Sequence, residues 1–366
     1  MWRNYLKTAV RNLWRQKLYS FINLFGLAVG VAFVVLIYLF IRHELSYDRF
    51  HANVDNIYRV EAVDYNESGV QEAYDLLGYP KAVEGIDKYT WLPVRLGEAL
   101  QAEIPEVRQF TRYDNGDYVV QKDNFTHLEE VHFVDSSFFE IFSFPLERGA
   151  PADVLRDPNS IVITPEIARR YFGRKDPVGE NLTFQLNDSA AVFTVTGVAE
   201  PPPSHSSIQY QILMRMENRP FYKENYQNWN SYNTPLFLEL VDGSTQAGVE
   251  AKMEVFLQRQ YSQTLEDRRT RRKLKPEDPV SAFVLTPLTD VHLDASTYWE
   301  GRGDSLNMFI LGGIALLILI IACLNYIALS LAGASGRILE VGIRKVLGSS
   351  PRQIARQFWL EAQLLV

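Results

Sequence analysis

The sequence predicts an α+β membrane protein in which two transmembrane helices flank a split β-α-β domain with a small β-rich insert. Three observations carry this prediction. Two long apolar runs stand near the ends of the 366-residue chain, at 21–41 and 308–331. The polar, aromatic-rich stretch between them alternates strand and helix patterns. Charge is divided as well. Residues 1–41 carry five basic side chains and no acid, residues 308–366 carry five basic and two acidic, and residues 42–307 are net −15. Excess Lys and Arg beside membrane helices marks the cytoplasmic side, so both ends read as inside and the acidic middle as outside.

Residues 1–20 read as an amphipathic helix. Trp2, Leu6, Ala9, Val10 and Leu13 share one face, and Arg3, Lys7, Arg11 and Arg15 form a stripe beside it. Such a helix suits the cytoplasmic headgroup region; the alternative is a charged flank that only sets orientation. The apolar run 21–41 would span about 31 Å as a helix, matching the hydrocarbon core. A signal peptide would have a shorter apolar region and a small-residue cleavage site, whereas RHELSYDRFH follows here, so the run reads as a retained anchor. Gly26 and Gly30 make a G-x-x-x-G, which lets a second membrane helix approach closely, although chance glycines give the same pattern.

In the middle region, β-branched and aromatic residues predict a strand over Ile57–Val63, and a helix follows over Val94–Ala102, stopped before Pro105. Strands are expected at Val107–Tyr113, Tyr118–Gln121 and Val131–Val134. Two Phe pairs, Phe138/Phe139 and Phe142/Phe144, mark a short helix and read as core anchors. Residues 159–200 read as a compact β-rich unit: a strand, a helix with Thr164 as N-cap and Pro165 at its first position, then strands in 176–184 and 193–200. Pro201, Pro202 and Pro203 interrupt the pattern. A strand over 235–241, a helix over Gln246–Gln263 and a strand over 281–288 complete a second strand–helix–strand piece. Two similar outer pieces thus enclose a β-rich insert of about 159–235.

The second apolar run contains the chain's one cysteine, Cys323, and the polar Asn325, which inside lipid would hydrogen-bond a neighbouring helix. A short basic helix follows and is broken by Gly348-Ser-Ser-Pro351. Leu339, Ile343, Val346 and Leu347 share its apolar stripe, Glu340 and Arg344 lie next to it at i, i+4, Gly342 leaves a flat spot, and Gly348 suits a helix end with φ > 0. A helix of this kind either passes a push from a soluble partner into the membrane or rests on lipid as a connector. Residues 358–366 begin another apolar run.

Catalytic signals are sparse. The chain has no G-x-x-x-x-G-K-[ST] loop, no H-E-x-x-H and no G-x-S-x-G. His127 and His132 flank Glu129 and Glu130 at poor spacing for a metal, and a solvated strand edge is expected. His205 with Ser204, Ser206 and Ser207 reads as a flexible polar loop. The basic run Arg268–Lys275 is diluted by nearby acids and reads as a solvated helix end; the acidic middle argues against nucleic acid.

Several segments, in order, resemble a known family. They are NYLKTAVRNLWRQKLYSFINLFGLAVGVA, ELSYDRFHANVDNIYRV, DSSFFEIFSFPLERGAP, PNSIVITPEIARRYFGRKDPVGENLTF, FTVTGVAEPPPSHS, TPLTDVHL and LEVGIRKVLGSSPRQIARQFWLEAQLL. Together they resemble the permease subunits of ABC transporters of the MacB/FtsX type, particularly the long Bacteroidetes versions. The resemblance implies a bacterial inner-membrane location, with 42–307 as a periplasmic core domain. It implies that 332–357 holds a coupling helix docking on a separate ATPase through Glu340, Gly342, Arg344, Lys345 and Gly348. It further implies pairing with a second permease copy or paralogue, with Gly26, Gly30 and Asn325 packing membrane helices, contact with lipid, and a further periplasmic or outer-membrane partner. The chain itself would be non-catalytic and hold no cofactor, ATP and Mg belonging to the partner ATPase. The function implied is export, with ATPase closure relayed to the periplasmic domain. Residues 358–366 would begin a third span of a longer permease. Two other readings stay open: a two-span receptor, and a regulator of an extracellular cell-wall hydrolase.

Overall fold

A computed structural model describes residues 17–354 apart from 66–70, 75–79, 84–85, 187–188, 295, 298–302, 336–337, 349 and 353. The expected amphipathic face of residues 1–16 and the apolar start at 358–366 lie outside the described residues. The chain divides into two compact units, one formed by the two ends and one by residues 46–305.

In the first unit, helix α1 spans Lys17–Glu44. At 1.5 Å per residue it is about 42 Å long, more than the ~30 Å hydrocarbon core requires. Within it Phe25–Glu44 is long and apolar enough to cross a membrane, as is Ser305–Ala328 near the chain's other end. Phe21, Phe33, Leu36, Phe309, Leu316 and Ile321 are all exposed, the arrangement lipid would satisfy.

Among its described residues the 46–305 unit carries fifteen strands: β1 (Ile57–Tyr65), β2 (Gln71–Tyr74), β3 (Pro80–Val83), β4 (Ile86–Tyr89), β5 (Leu92–Pro93), β6 (Val107–Lys122), β7 (Phe125–Val134), β8 (Leu146–Arg148), β9 (Ser160–Ile163), β10 (Asn181–Leu186), β11 (Ser189–Ala199), β12 (Ile212–Arg215), β13 (Tyr232–Thr234), β14 (Leu236–Leu240) and β15 (Ser281–Pro287). The helices, continuing from α1, are α2 (Leu96–Glu103), α3 (Phe138–Ile141), α4 (Pro165–Phe172), α5 (Tyr222–Tyr226), α6 (Gln246–Gln260), α7 (Ser262–Arg271) and α8 (Leu288–Val291). The ends supply α9 (Ser305–Ser335) and α10 (Ile338–Val346).

The 16-residue strand β6 is the backbone of the domain. Sequence pattern gives two strands here, Val107–Tyr113 and Tyr118–Gln121, but the structure carries one strand through, because both halves find partners. Its first half pairs with β14, at registers such as Phe110↔Leu238. Its second half pairs with β7, from Tyr113↔Val134 to Lys122↔Phe125, and with β10 at Phe184↔Val120. A two-residue turn at 123–124 joins β6 to β7, with Asp123 at φ +53°, a conformation Asp tolerates.

On the first side, β14, β1 and β15 extend the sheet antiparallel, and α2 and α6 cover it. Leu96 and Leu100 of α2, Val249, Met253 and Phe256 of α6, and Val60, Leu238 and Phe283 of the sheet form one buried cluster. Gly97 allows α2 to lie this close: a Cβ there would overlap Phe110 and Leu236. The helix expected over 246–263 breaks at Tyr261, whose buried ring fills this cluster while its hydroxyl donates to the Trp229 carbonyl at 3.1 Å.

On the second side, β6, β7, β12, β9, β11 and β10 close on themselves, since β10 returns to β6. The ring draws on residues 113–134 as well as the 159–215 strands. Val120, Phe133, Ile161, Ile163, Phe184, Phe193 and Met214 fill it, with Ile167 and Phe172 of α4 packed among them. A small closed barrel is filled by its own side chains, so the ring is a core and no channel. Thr164 stands at the N-cap position before Pro165, but its side chain makes no capping hydrogen bond; the position is buried and the backbone alone starts the helix.

Where β6 passes between the two sides, Arg112 is buried. Its backbone N–H and Nε donate to Asp135 Oδ2 at 2.6 and 3.0 Å, and Nη1 donates to the Val94 carbonyl at 2.8 Å. Burial alone would lower the Arg112 pKa, but the Asp135 carboxylate offsets this and the net direction is up. A buried pair with satisfied donors fixes geometry more than it adds net stability.

Candidate functional site

The residues that carry the chain into and out of the 46–305 unit meet in one buried cluster. Ser46 opens this unit immediately after α1 and Leu45. Phe50 and Val54 pack against a core containing Phe138, Phe142, Phe144, Ile208 and Tyr210. Leu288 and Val291 of α8, from the segment that leads toward α9, belong to the same core. The Phe pairs thus serve as the common anchor, with Phe142 and Phe144 edge-on or tilted to neighbouring rings at 5–6 Å. Fully burying each such ring contributes about 1.5–3 kcal/mol.

Polar contacts sharpen this joint. The Tyr47 and His292 rings stack at 3.3 Å and 7°. Asp48 is buried with φ +58°, a conformation that costs most residues but that Asp adopts readily. Its carboxylate accepts from the Ser207 N–H at 2.8 Å and the Ser206 hydroxyl at 3.2 Å, and its own N–H donates to the His205 carbonyl at 2.9 Å. Burial pushes the Asp48 pKa up, opposed chiefly by the Ser207 hydrogen bonds. His51 Nδ1 accepts from the Ser143 N–H at 3.0 Å, and burial lowers its pKa to about 4, so the ring is neutral at pH 7. The loop after Pro203, expected to be a flexible polar stretch, is therefore tied down, because Asp48 supplies the acceptor that its backbone and hydroxyls need.

Just beyond α8 the chain is held again. Arg59, fully buried, donates through Nη2 to Asp294 Oδ2 at 2.8 Å and to the Thr297 hydroxyl at 2.7 Å, and through Nε to Glu61 at 2.8 Å. Lys88 bridges Glu61 and Asp294. Burial would raise the Asp294 pKa, but Ser296, Lys88 and Arg59 outweigh it and bring it to about 2. Tyr47 and His292 are thus stacked on one another, and Asp294 and Thr297 are held to Arg59 of β1. Among the described residues this arrangement has no nucleophile–base geometry.

The other sequence candidates fall at two places in the first unit. Gly30 is buried, and a Cβ on it would come within 2.9 Å of the Ala322 Cβ; one on Gly26 would stand 3.5 Å from Asn325 Nδ2. The two glycines thus face α9 at Ala322 and Asn325. Glu340, Gly342, Arg344 and Lys345 lie on α10, and Gly348 follows it at φ +92°. Ile343, Val346 and Leu347 are more than half exposed there, which leaves an apolar stripe uncovered.

Two further expectations are corrected. The strand carrying His127–His132 is solvated only in its first part, where residues 125–128 are exposed; Glu129 is buried and accepts from Arg170 at 2.6–2.7 Å and from the Tyr171 hydroxyl at 3.0 Å, and His132 is buried beside Glu130. Glu129 shares its face of β7 with the ring-filling Val131 and Phe133, whereas His132 lies on the opposite face, where its ring packs against Tyr113. The basic run at 268–275 is a solvated helix end only in part: Arg271, Lys273 and Lys275 are exposed, but Arg268 and Arg272 reach the buried Asp64. Sequence reasoning missed the joint. Its available signal was the density of His, Asp and aromatic residues in SYDRFH and TPLTDVHL beside each apolar run.

Comparison with known proteins places these features. A family described as MacB-like periplasmic core domain matches residues 20–255, and one described as FtsX-like permease C-terminal matches 312–366. The chain is 23% identical over 378 aligned residues to a pyoverdine export ATP-binding/permease protein of Pseudomonas syringae pv. tomato, covering all of this chain and 50% of the relative. It therefore spans about half the length of the curated relatives it matches. A crystal structure described as a domain of a permease protein from Porphyromonas gingivalis shares 23% identity and a TM-score of 0.51, over 72% of this chain and 99% of that one. The periplasmic region of MacB from Actinobacillus actinomycetemcomitans matches at 11% identity and a TM-score of 0.36, over 63% of this chain and 90% of that one.

Proposed function

The chain belongs to the family with a MacB-like periplasmic core domain, followed by an FtsX-like permease segment, and from that we propose that it is a mechanotransmitting permease for export. Membership places it as an ABC transporter permease component of the inner membrane with a periplasmic domain. In the proposed mechanism, a separate ATPase binds and hydrolyses ATP with Mg. The coupling helix α10, through Glu340, Gly342, Arg344, Lys345 and Gly348, receives that movement, and its uncovered apolar stripe supports the reading. Gly26 and Gly30 against Ala322 and Asn325 hold α1 and α9 as one moving pair. Both chain ends would be cytoplasmic. A second permease copy or paralogue would complete the transporter, and the export activity of the pyoverdine relative supports export here.

The single observation that carries the proposal is the shared cluster of Phe50, Val54, Leu288 and Val291. Side chains beside both apolar helices enter one core, so displacement of either helix must strain or turn the domain. Packed cores respond to displacement as units because they have few voids to absorb it. The test is charge reversal on α10. Glu340→Lys and Arg344→Glu, each co-expressed with the partner ATPase, should lower export several-fold per ATP hydrolysed, while the periplasmic domain keeps its protease resistance. Unchanged export in both variants would refute the assignment of α10.

A further inference from the structure

Residues 42–307 are net −15, yet one cavity in that domain is walled by three arginines. Its volume is about 280 Å³, and Asp64, Arg268, Arg271 and Arg272 line it. Asp64 lies near the end of β1 and is 6% exposed. Arg268 Nη1 donates to its two oxygens at 2.6 and 2.8 Å, and Arg272 Nη2 donates to Oδ2 at 3.2 Å. The Ser281 hydroxyl also donates to Asp64, and Arg272 Nη1 donates to the Tyr65 carbonyl at 2.8 Å. One carboxylate therefore holds two guanidinium groups in place. Arg271 Nε donates to the Asp267 carbonyl at 3.3 Å, and among the described residues no acid pairs with it.

The charge count on the walls is three cations against one anion. A lone carboxylate that fixes two arginines without neutralising the third leaves a preorganised positive site. Arg268 and Arg271 lie on α7 at i and i+3, and Arg272 caps its C-terminus at i+4, so all three line the cavity from one side of the helix end. Arginine forks match planar and tetrahedral oxyanions and bind them through paired, charge-assisted hydrogen bonds. Small-molecule pockets run from roughly 300 to 1,000 Å³, so this volume suits a charged group better than a whole drug-sized molecule.

We propose that this cavity binds the anionic group, a carboxylate or a phosphate, of a small molecule. The bound oxyanion faces Arg271 and Arg272, and Asp64 acts behind them as a positioning residue. A simple helix-end role for the arginines accounts for Arg268 and Arg272 but leaves Arg271 without work.

The test is calorimetric titration of the 366-residue chain in detergent with succinate and, separately, inorganic phosphate, with glycerol as the uncharged control. At least one anion should bind saturably and more weakly as salt rises. Arg271→Gln should weaken that binding about tenfold, the loss of one charge-assisted contact, with the melting temperature of the unliganded chain unchanged. Arg271→Lys should recover part of the affinity. Saturation by succinate alone identifies a carboxylate group and saturation by phosphate alone a phosphate group. Millimolar anion without saturable heat, or equal affinity in Arg271→Gln, would overturn the proposal. Neither result depends on export, so this test can fail while the permease reading stands.

Discussion

At the scale of single residues, Asp48 does two jobs that separate by substitution. It adopts φ +58° and accepts hydrogen bonds from Ser206 and Ser207. Asp48→Asn keeps both, because Asn tolerates the same backbone and retains an acceptor oxygen. Asp48→Ala loses both and leaves buried donors unpaired, so urea unfolding should show a loss of about 1–3 kcal/mol for Ala and little change for Asn. The buried histidines set a pH dependence. His51 and His132 are each lowered by burial from 6.5 to about 4. Below 6.5 the unfolded chain takes up protons that the folded chain refuses until about pH 4. Stability should therefore fall as pH drops through that window, by up to about 1.4 kcal/mol per pH unit for each histidine. Asp48, raised by burial, acts with the opposite sign at the acid end. His51→Gln with His132→Gln should flatten the slope of melts recorded between those pH values; an unchanged slope would assign the acid sensitivity elsewhere.

At the scale of elements, what could be read from sequence depended on whether a pattern is local. The apolar length of α1 and α9, the strand at Ile57–Val63 and the two Phe pairs were legible because hydrophobic content and turn residues suffice to mark them. The continuity of β6 through Gly116 was not, because it depends on β7 and β10, whose pairing is long-range. The buried state of Glu129 and His132 was hidden for the same reason: Glu129 is covered by Arg170 and Tyr171, and His132 by Tyr113, partners distant in sequence. The joint was half-visible. Phe138 and Phe142 announced a core, but nothing local tells that Asp48 meets Ser207 across 159 residues or that Tyr47 meets His292. Among the membrane helices, geometry distinguishes the two glycines. Gly30→Leu must push α9 away, since even a Cβ meets Ala322 at 2.9 Å, whereas Gly26→Ala adds only an ordinary contact with Asn325. The Leu variant should melt several degrees lower in detergent and the Ala variant should melt like the parent; equal melting of the two would show that α1 and α9 do not pack at Gly30.

At the scale of the whole molecule, the account joins three places along one chain: α10, the α1/α9 pair, and the clamp at 47–51 and 288–297. Each has a stabilising role that requires no transport. What makes them a machine in this account is that work put in at one end is delivered at the other. The most direct measurement is therefore the ratio of substrate exported to ATP hydrolysed, taken on the permease reconstituted with its ATPase. Tyr47→Ala combined with His292→Ala removes the 3.3 Å stack while leaving α10 and the glycine contact untouched. The account predicts that ATP hydrolysis continues near its parent rate while export per ATP falls by about tenfold, the loss of roughly 1.4 kcal/mol of coupling. Export per ATP that stays at the parent value in this variant would contradict the claim that the clamp carries the movement.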